Sequence, residues 1–161
     1  MTAPTDARVQ VRASTYGDAD VVALVAEVQA YYVEIYGGED ATPMTPEEFE
    51  APEGTFVVAD VDGEPVACGA FRRHEGANGV VAEIKRMYVR PAHRHRGVAR
   101  AVLVDLEVRA RAAGYARVVL ETGERQPAAI AFYTGAGYTE IEPYGFYRCS
   151  PLSRCFGKDL T

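Results

Sequence analysis

The run Glu83–Ala99, EIKRMYVRPAHRHRGVA, does most to constrain what this chain folds into. It reads as a strand, then a tight basic loop, then the start of a helix. The loop closes on Arg94-His95-Arg96-Gly97-Val98-Ala99, a compact set of backbone amides opening a helix between guanidinium groups. The N–H groups of a first helical turn have no intrahelical partner, and the helix dipole favours negative charge there. Such a loop suits a diphosphate. The strand before it carries one carboxylate, Glu83, where a substrate can reach it. An anion cradle beside a base points to a group-transfer enzyme fed by a phosphorylated carrier.

A length of 161 residues suits a single domain, 1–161, with its own core. The net charge of −6 weighs against a general nucleic-acid binder or an anionic-membrane binder. It favours a cationic or neutral small acceptor. Cys68, Cys149 and Cys155 are odd in number and show no CxxC spacing, so neither a disulfide framework nor a zinc site is expected. His74, His93 and His95 lack further ligands around them, and no metal is expected. No apolar run reaches membrane-spanning length, and MTAPTDARVQ lacks a signal-peptide pattern, so the expected location is the cytoplasm.

Periodicity and turn signals predict ten elements in the order β-α-β-β-β-α-β-α-β-β. Residues 1–7 look like a loose end, and Val9–Arg12 is a first strand. Asp18 caps a helix running to Tyr36, stopped by Gly37-Gly38. Residues 39–54 hold three prolines and many acids and read as a lid or substrate wall, with a short helix at Pro46–Glu50. Thr55–Val61 and Pro65–Arg73 form a hairpin across Asp62-Gly63, and Val80–Val89 follows a second turn at Gly76–Gly79. Gly97–Ala113 is an amphipathic helix, Arg117–Glu121 a strand, Gln126–Thr134 a short helix, and Tyr138–Ile141 and Cys155–Leu160 the last strands. The expected class is α/β, a mixed sheet with helices on both faces. Val80–Val89 and Arg117–Glu121 should run parallel, with a crevice at their carboxyl ends.

These residues resemble the GNAT superfamily of acyl-CoA-dependent N-acyltransferases. The family's motif, Gln/Arg-x-x-Gly-x-Gly/Ala, stands here as Arg94–Ala99 after Met87-Tyr88-Val89. A second signature, Asn-x-x-Ala-x-x-(Phe/Leu)-Tyr and then Gly-aromatic, stands as Gln126–Tyr133 and Gly137-Tyr138, with Gln126 in place of Asn. Small bacterial members share the C-terminal stretches Pro143–Tyr147 and Pro151–Lys158. The resemblance implies direct acetyl transfer from acetyl-CoA to a primary amine of a small molecule, without metal or acyl-enzyme. Alternatives are a protein or peptide N-acetyltransferase and a non-catalytic acyl-CoA sensor.

The resemblance also implies roles. Arg94, His95, Arg96, Gly97, Val98, Ala99 and Arg100 would hold the coenzyme A diphosphate, and Met87, Val89 and Gln126 the pantetheine arm. Glu83 matches a general-base position; its plain alternative is a solvated carboxylate paired with Lys85 or Arg86. Tyr133 matches the general acid; its plain alternative is an aromatic packing a short helix. Tyr31, Tyr32, Arg72, Arg73, Tyr144 and Tyr147 lie on segments that surround the acceptor, where an arginine would suit a carboxylate and tyrosines an aromatic or cationic group. A sheet edge or the C-terminal strand offers a route to a homodimer.

Overall fold

The computed structural model describes residues 8–77 and 79–160. The expected loose end at residues 1–7 lies outside these. The ten-element order holds, in one seven-stranded sheet with spatial order β1-β2-β3-β4-β5-β7-β6. Strands β1 (Val9–Ser14), β2 (Thr55–Val61), β3 (Glu64–Gly76) and β4 (Gly79–Val89) form an antiparallel meander. Helix α2 (Val98–Ala112) then crosses over to β5 (Arg117–Gly123), which lies parallel to β4. Strand β7 (Ser153–Asp159) sits between β5 and the short β6 (Thr139–Ile141), antiparallel to both. The long β6–β7 connection permits that insertion.

Alternation along β2 explains the two-sided core. Phe56 and Val58 face helix α1 (Ala19–Tyr36), packing with Val21, Leu24 and Phe49. Val57 and Ala59 face α2, packing with Val102, Leu103, Leu106 and Ala110. Helix α1 begins where the Asp18 side chain accepts from the Asp20 N–H at 2.8 Å. It ends where Gly37, at φ 81°, donates to the Val33 carbonyl. Helix α3 (Pro127–Gly135) follows β5 and buries Tyr133.

Several strands run past their expected ends. Strand β3 continues three residues beyond Arg73, because His74, Glu75 and Gly76 pair with Val81, Val80 and Gly79. The β3–β4 ladder is broken once. Cys68 pairs with Tyr88 and Ala70 with Lys85, so Gly69 alone opposes both Arg86 and Met87. Arg86 takes φ 58°, the left-handed region, at this bulge. Gly69 is required by packing. A Cβ there would stand 2.6 Å from Met87 Sδ and 2.9 Å from both Leu106 Cδ1 and Val102 Cγ1.

Candidate active site

Strands β4 and β5 pair over three positions, ending at Ile84–Leu120. Beyond that point no ladder joins them among the described residues, and a cavity of about 360 Å³ opens in the fork. Ile84 and Leu120, the last pair, are among its lining residues. Lys85, Arg86 and Met87 continue along β4, and Glu121, Thr122 and Gly123 along β5. The end of α1 contributes Tyr32 and Tyr36, and the following loop contributes Gly38, Glu39 and Asp40. Gln126, Ala129 and Tyr133 come from the start of α3 and its body, and Tyr147 from the β6–β7 connection.

The wall formed by residues 38–40 is tied down. Asp40 donates its N–H to Gln29 Oε1 at 2.8 Å, while Gln29 Nε2 donates to the Asp40 carbonyl at 3.3 Å. The Ala41 N–H donates to Tyr147 Oη at 2.7 Å. Tyr36 closes the far side, accepting from Gln126 Nε2 at 3.3 Å. Gly123 makes room for it: a Cβ at that position would fall 1.8 Å from Tyr36 Oη.

Strand β4 leads directly into the basic loop. His95 and Gly97 both take left-handed φ values, 63° and 79°, which turns successive amides toward one another. Among the described residues, the N–H groups of residues 95–100 make no hydrogen bond; the first helical bond is Ala101 N–H to the Gly97 carbonyl. A row of six free donors at a helix start fits a diphosphate. Arg94 is partly committed: its Nε donates to the Val89 carbonyl at 3.0 Å, and its guanidinium lies 5.7 Å from the Tyr31 ring centroid and 5.8 Å from that of Tyr88.

The expected site residues divide. Met87, Gln126, Tyr133, Tyr32 and Tyr147 line the cavity. Tyr133 Oη makes no hydrogen bond among the described residues, and burial raises its pKa, so the phenol keeps its proton at neutral pH. Tyr31 instead packs on Arg94, and Val89 has its carbonyl occupied.

Glu83 is neither solvated nor paired with Lys85 or Arg86. It is 4% exposed and accepts from Arg72 Nε at 2.9 Å, outside the cavity lining. Arg72 is consequently not open to an acceptor: it also donates to the Pro43 carbonyl at 2.8 Å and to Glu48 at 3.1 Å. Arg73 alternates to the other face of β3, bonds Glu75 at 2.8 Å and borders a separate depression with Glu53 and Tyr115. Tyr144 packs on His74 at 4.9 Å, and its buried hydroxyl, near Glu83, has no hydrogen-bond partner among the described residues.

Five charged lining residues were not among the expected ones: Glu39, Asp40, Lys85, Arg86 and Glu121. Desolvation pushes the Glu121 carboxyl up to about 7; Lys85 opposes this, while Glu83 and Asp40 reinforce it. A carboxylate half ionised near neutrality, bordering this cavity, is suited to accepting a proton. The sequence signal available was the alternation of β5, which sets Glu121 among Val118, Val119 and Leu120 as an unlikely charge at a strand's carboxyl end.

Comparison with known proteins bears on this arrangement. Residues 23–138 match the model of the Acetyltransferase (GNAT) family. An IAA acetyltransferase of Azospirillum brasilense is 37% identical over 141 residues, which is 87% of this chain and 90% of that protein. A Klebsiella pneumoniae structure assigned as an acyl-CoA N-acyltransferase superposes with a TM-score of 0.79 at 30% identity, over 95% of this chain and 98% of the other. PaiA N-acetyltransferase of Thermoplasma acidophilum, solved with coenzyme A, shares the fold at a TM-score of 0.68 and 15% identity, over 94% and 99%.

Proposed function

The chain belongs to the GNAT family of acyl-CoA-dependent N-acetyltransferases, and from that premise we propose that it moves acetyl from acetyl-CoA directly to the primary amine of a small molecule held in the β4–β5 fork. One observation carries the reading. The fork opens where pairing stops at Ile84–Leu120, and the same β4 runs on into six unbonded N–H groups.

Acetyl-CoA supplies an activated acetyl group as a thioester. The residues of this chain do the rest. The amides of residues 95–100 hold the diphosphate. Past Ile84, the β4 edge has no β5 partner, and its main-chain groups at Met87 receive the pantetheine arm as an added strand would be received. Gln126 presents its side-chain amide on the other wall. An ammonium has no lone pair, so the acceptor must lose a proton before it attacks. Glu121, lining the cavity, takes that proton, directly or through a water. Tyr133 Oη, protonated at neutral pH, gives a proton to the departing sulfur. Glu83, expected as the base, acts at one remove: its buried charge helps raise the Glu121 pKa.

The pinned wall at residues 38–40 favours a small acceptor over a peptide, because a wall held by Gln29 and Tyr147 yields less readily to an extended chain. The test is release of coenzyme A thiol from acetyl-CoA across amino acids, polyamines, aminoglycosides, arylalkylamines and short peptides. Turnover with a small amine supports the reading. Turnover confined to peptides refutes the small-acceptor assignment, and failure of acetyl-CoA to shift the melting temperature refutes the cofactor assignment.

A further inference from the structure

We propose that the acceptor is an amino acid, its carboxylate seated on Arg86 and Lys85 and its amine turned toward Glu121. The inference rests on the acetyltransferase reading above and specifies the substrate class of the same site.

Arg86 is 7% exposed, and the Lys85 side chain 11%. A guanidinium and an ammonium together offer eight N–H donors. Among the described residues these two groups make one side-chain hydrogen bond, from Arg86 Nη1 to Asp40 Oδ2 at 3.3 Å, which is long for a charged pair. Lys85 Nζ stands 3.8 Å from the same oxygen. Arg86 Nε is buried with no partner among the described residues. Asp40 cannot supply more, because its Oδ1 already accepts from the Thr42 N–H at 3.0 Å and the Thr42 hydroxyl at 2.6 Å. Two buried cations therefore share one carboxylate oxygen at the cavity wall. Burying charge without full pairing is costly, and an anion of the right size entering the cavity would complete the pairing.

A carboxylate is that anion. Its two oxygens match the planar fork of an arginine. The coenzyme A diphosphate has its own cradle at residues 95–100, none of which lines this cavity. The backbone points the same way. Arg86 is held at φ 58° by the bulge opposite Gly69, a conformation unfavourable for a side-chain-bearing residue and found where a side chain must be aimed. Glu121 lies across the fork within electrostatic reach of both Lys85 and Asp40. An amine that carries its own carboxylate spans these two poles, whereas a simple alkylamine leaves the Arg86–Lys85 pole unmet. A dicarboxylic acyl donor would bring the same chemistry from the coenzyme side.

The experiment compares tyrosine, tyrosinamide and tyramine, and likewise glutamine, its amide and its decarboxylated amine, as acceptors with acetyl-CoA. Binding to the coenzyme A-loaded protein is followed in parallel by calorimetry. Amino acids should bind at least tenfold more tightly than their amides. Arg86→Gln should remove that preference while leaving amide binding within twofold. Lys85→Met should weaken amino acid binding in the same sense, and it stands in if Arg86→Gln does not fold. Equal or better binding of the amides and amines overturns the inference while leaving the acetyltransferase reading intact. So does a preference for succinyl-CoA over acetyl-CoA that Arg86→Gln abolishes, with no discrimination among acceptors. Absence of turnover with every acceptor, and of coenzyme A binding, overturns the underlying reading and the inference together.

Discussion

Replacing Glu121 by Gln tests the assignment of the proton acceptor by a stability measurement that needs no substrate. The carboxyl is raised from 4.5 to about 7 in the folded protein, chiefly by desolvation. The fold thus favours the protonated form. That contribution is fully present below pH 4.5 and is lost as pH rises through 7. At 1.36 kcal/mol per pH unit the displacement corresponds to about 3 kcal/mol before screening. The side chain borders an open-mouthed cavity where water screens part of the penalty, and about 1–2 kcal/mol is the magnitude to expect. Gln keeps the shape and a hydrogen-bonding amide but never ionises. The variant should match the parent at pH 4.5 and exceed it by about 1–2 kcal/mol at pH 8, a gain of about 3–6 °C in melting temperature for a chain of this length. Denaturant melts at the two pH values measure it. The same variant should lose the limb of the kcat/KM profile near pH 7 along with most of its turnover. A stability difference that does not grow between pH 4.5 and pH 8 would show that Glu121 is not held protonated by the fold, and the assignment of its role would fail.

Three further outcomes follow from the geometry. Tyr133→Phe should lower kcat by about a hundredfold with the KM for acetyl-CoA changed less than twofold, since a general acid contributes to the reaction step rather than to binding; thiol-release kinetics decide it. Gly69→Ala should cost about 2 kcal/mol, because the new methyl overlaps Met87, Val102 and Leu106, and a melting temperature within 1 °C of the parent would contradict the packing argument. Glu83→Gln should cost about 1–2 kcal/mol, as Arg72 keeps Glu48 and the Pro43 carbonyl, and should move the Glu121-dependent limb of the pH–rate profile to lower pH. An unmoved limb would sever the electrostatic link between the two carboxylates.

The fold was legible because each element announces itself locally. Asp18 and Gly37 bracket α1, Asp62-Gly63 marks the β2–β3 turn, and Val98, Val102, Leu103, Leu106 and Ala110 lay out the buried stripe of α2. The basic loop was legible as a turn into α2 for the same reason, since its left-handed His95 and Gly97 and its free amides are consecutive features of the main chain. The acceptor side was not. Tyr31 and Tyr32 are neighbours on one helix, yet Tyr32 reaches the cavity while Tyr31 packs on Arg94, a distinction set by helix rotation against a distant loop. Arg72 and Arg73 point to opposite faces of β3, and each is engaged by acids, Glu83 and Glu48 for one and Glu75 for the other.

The bulge in β4 explains why the charges of the site escaped a reading by periodicity. In a regular strand, Lys85 and Arg86 would point to opposite faces, one to each layer of helices. Placing two residues opposite the lone Gly69 resets that alternation, and both cations come to line one cavity against one aspartate. The same irregularity begins two residues past the last β4–β5 pair, where the strands part. A single local device thus accompanies the opening of the fork and gathers buried charge along its wall. Its sequence mark is a glycine in β3, seventeen positions away from the arginine it serves, so only the paired register of the two strands exposes it.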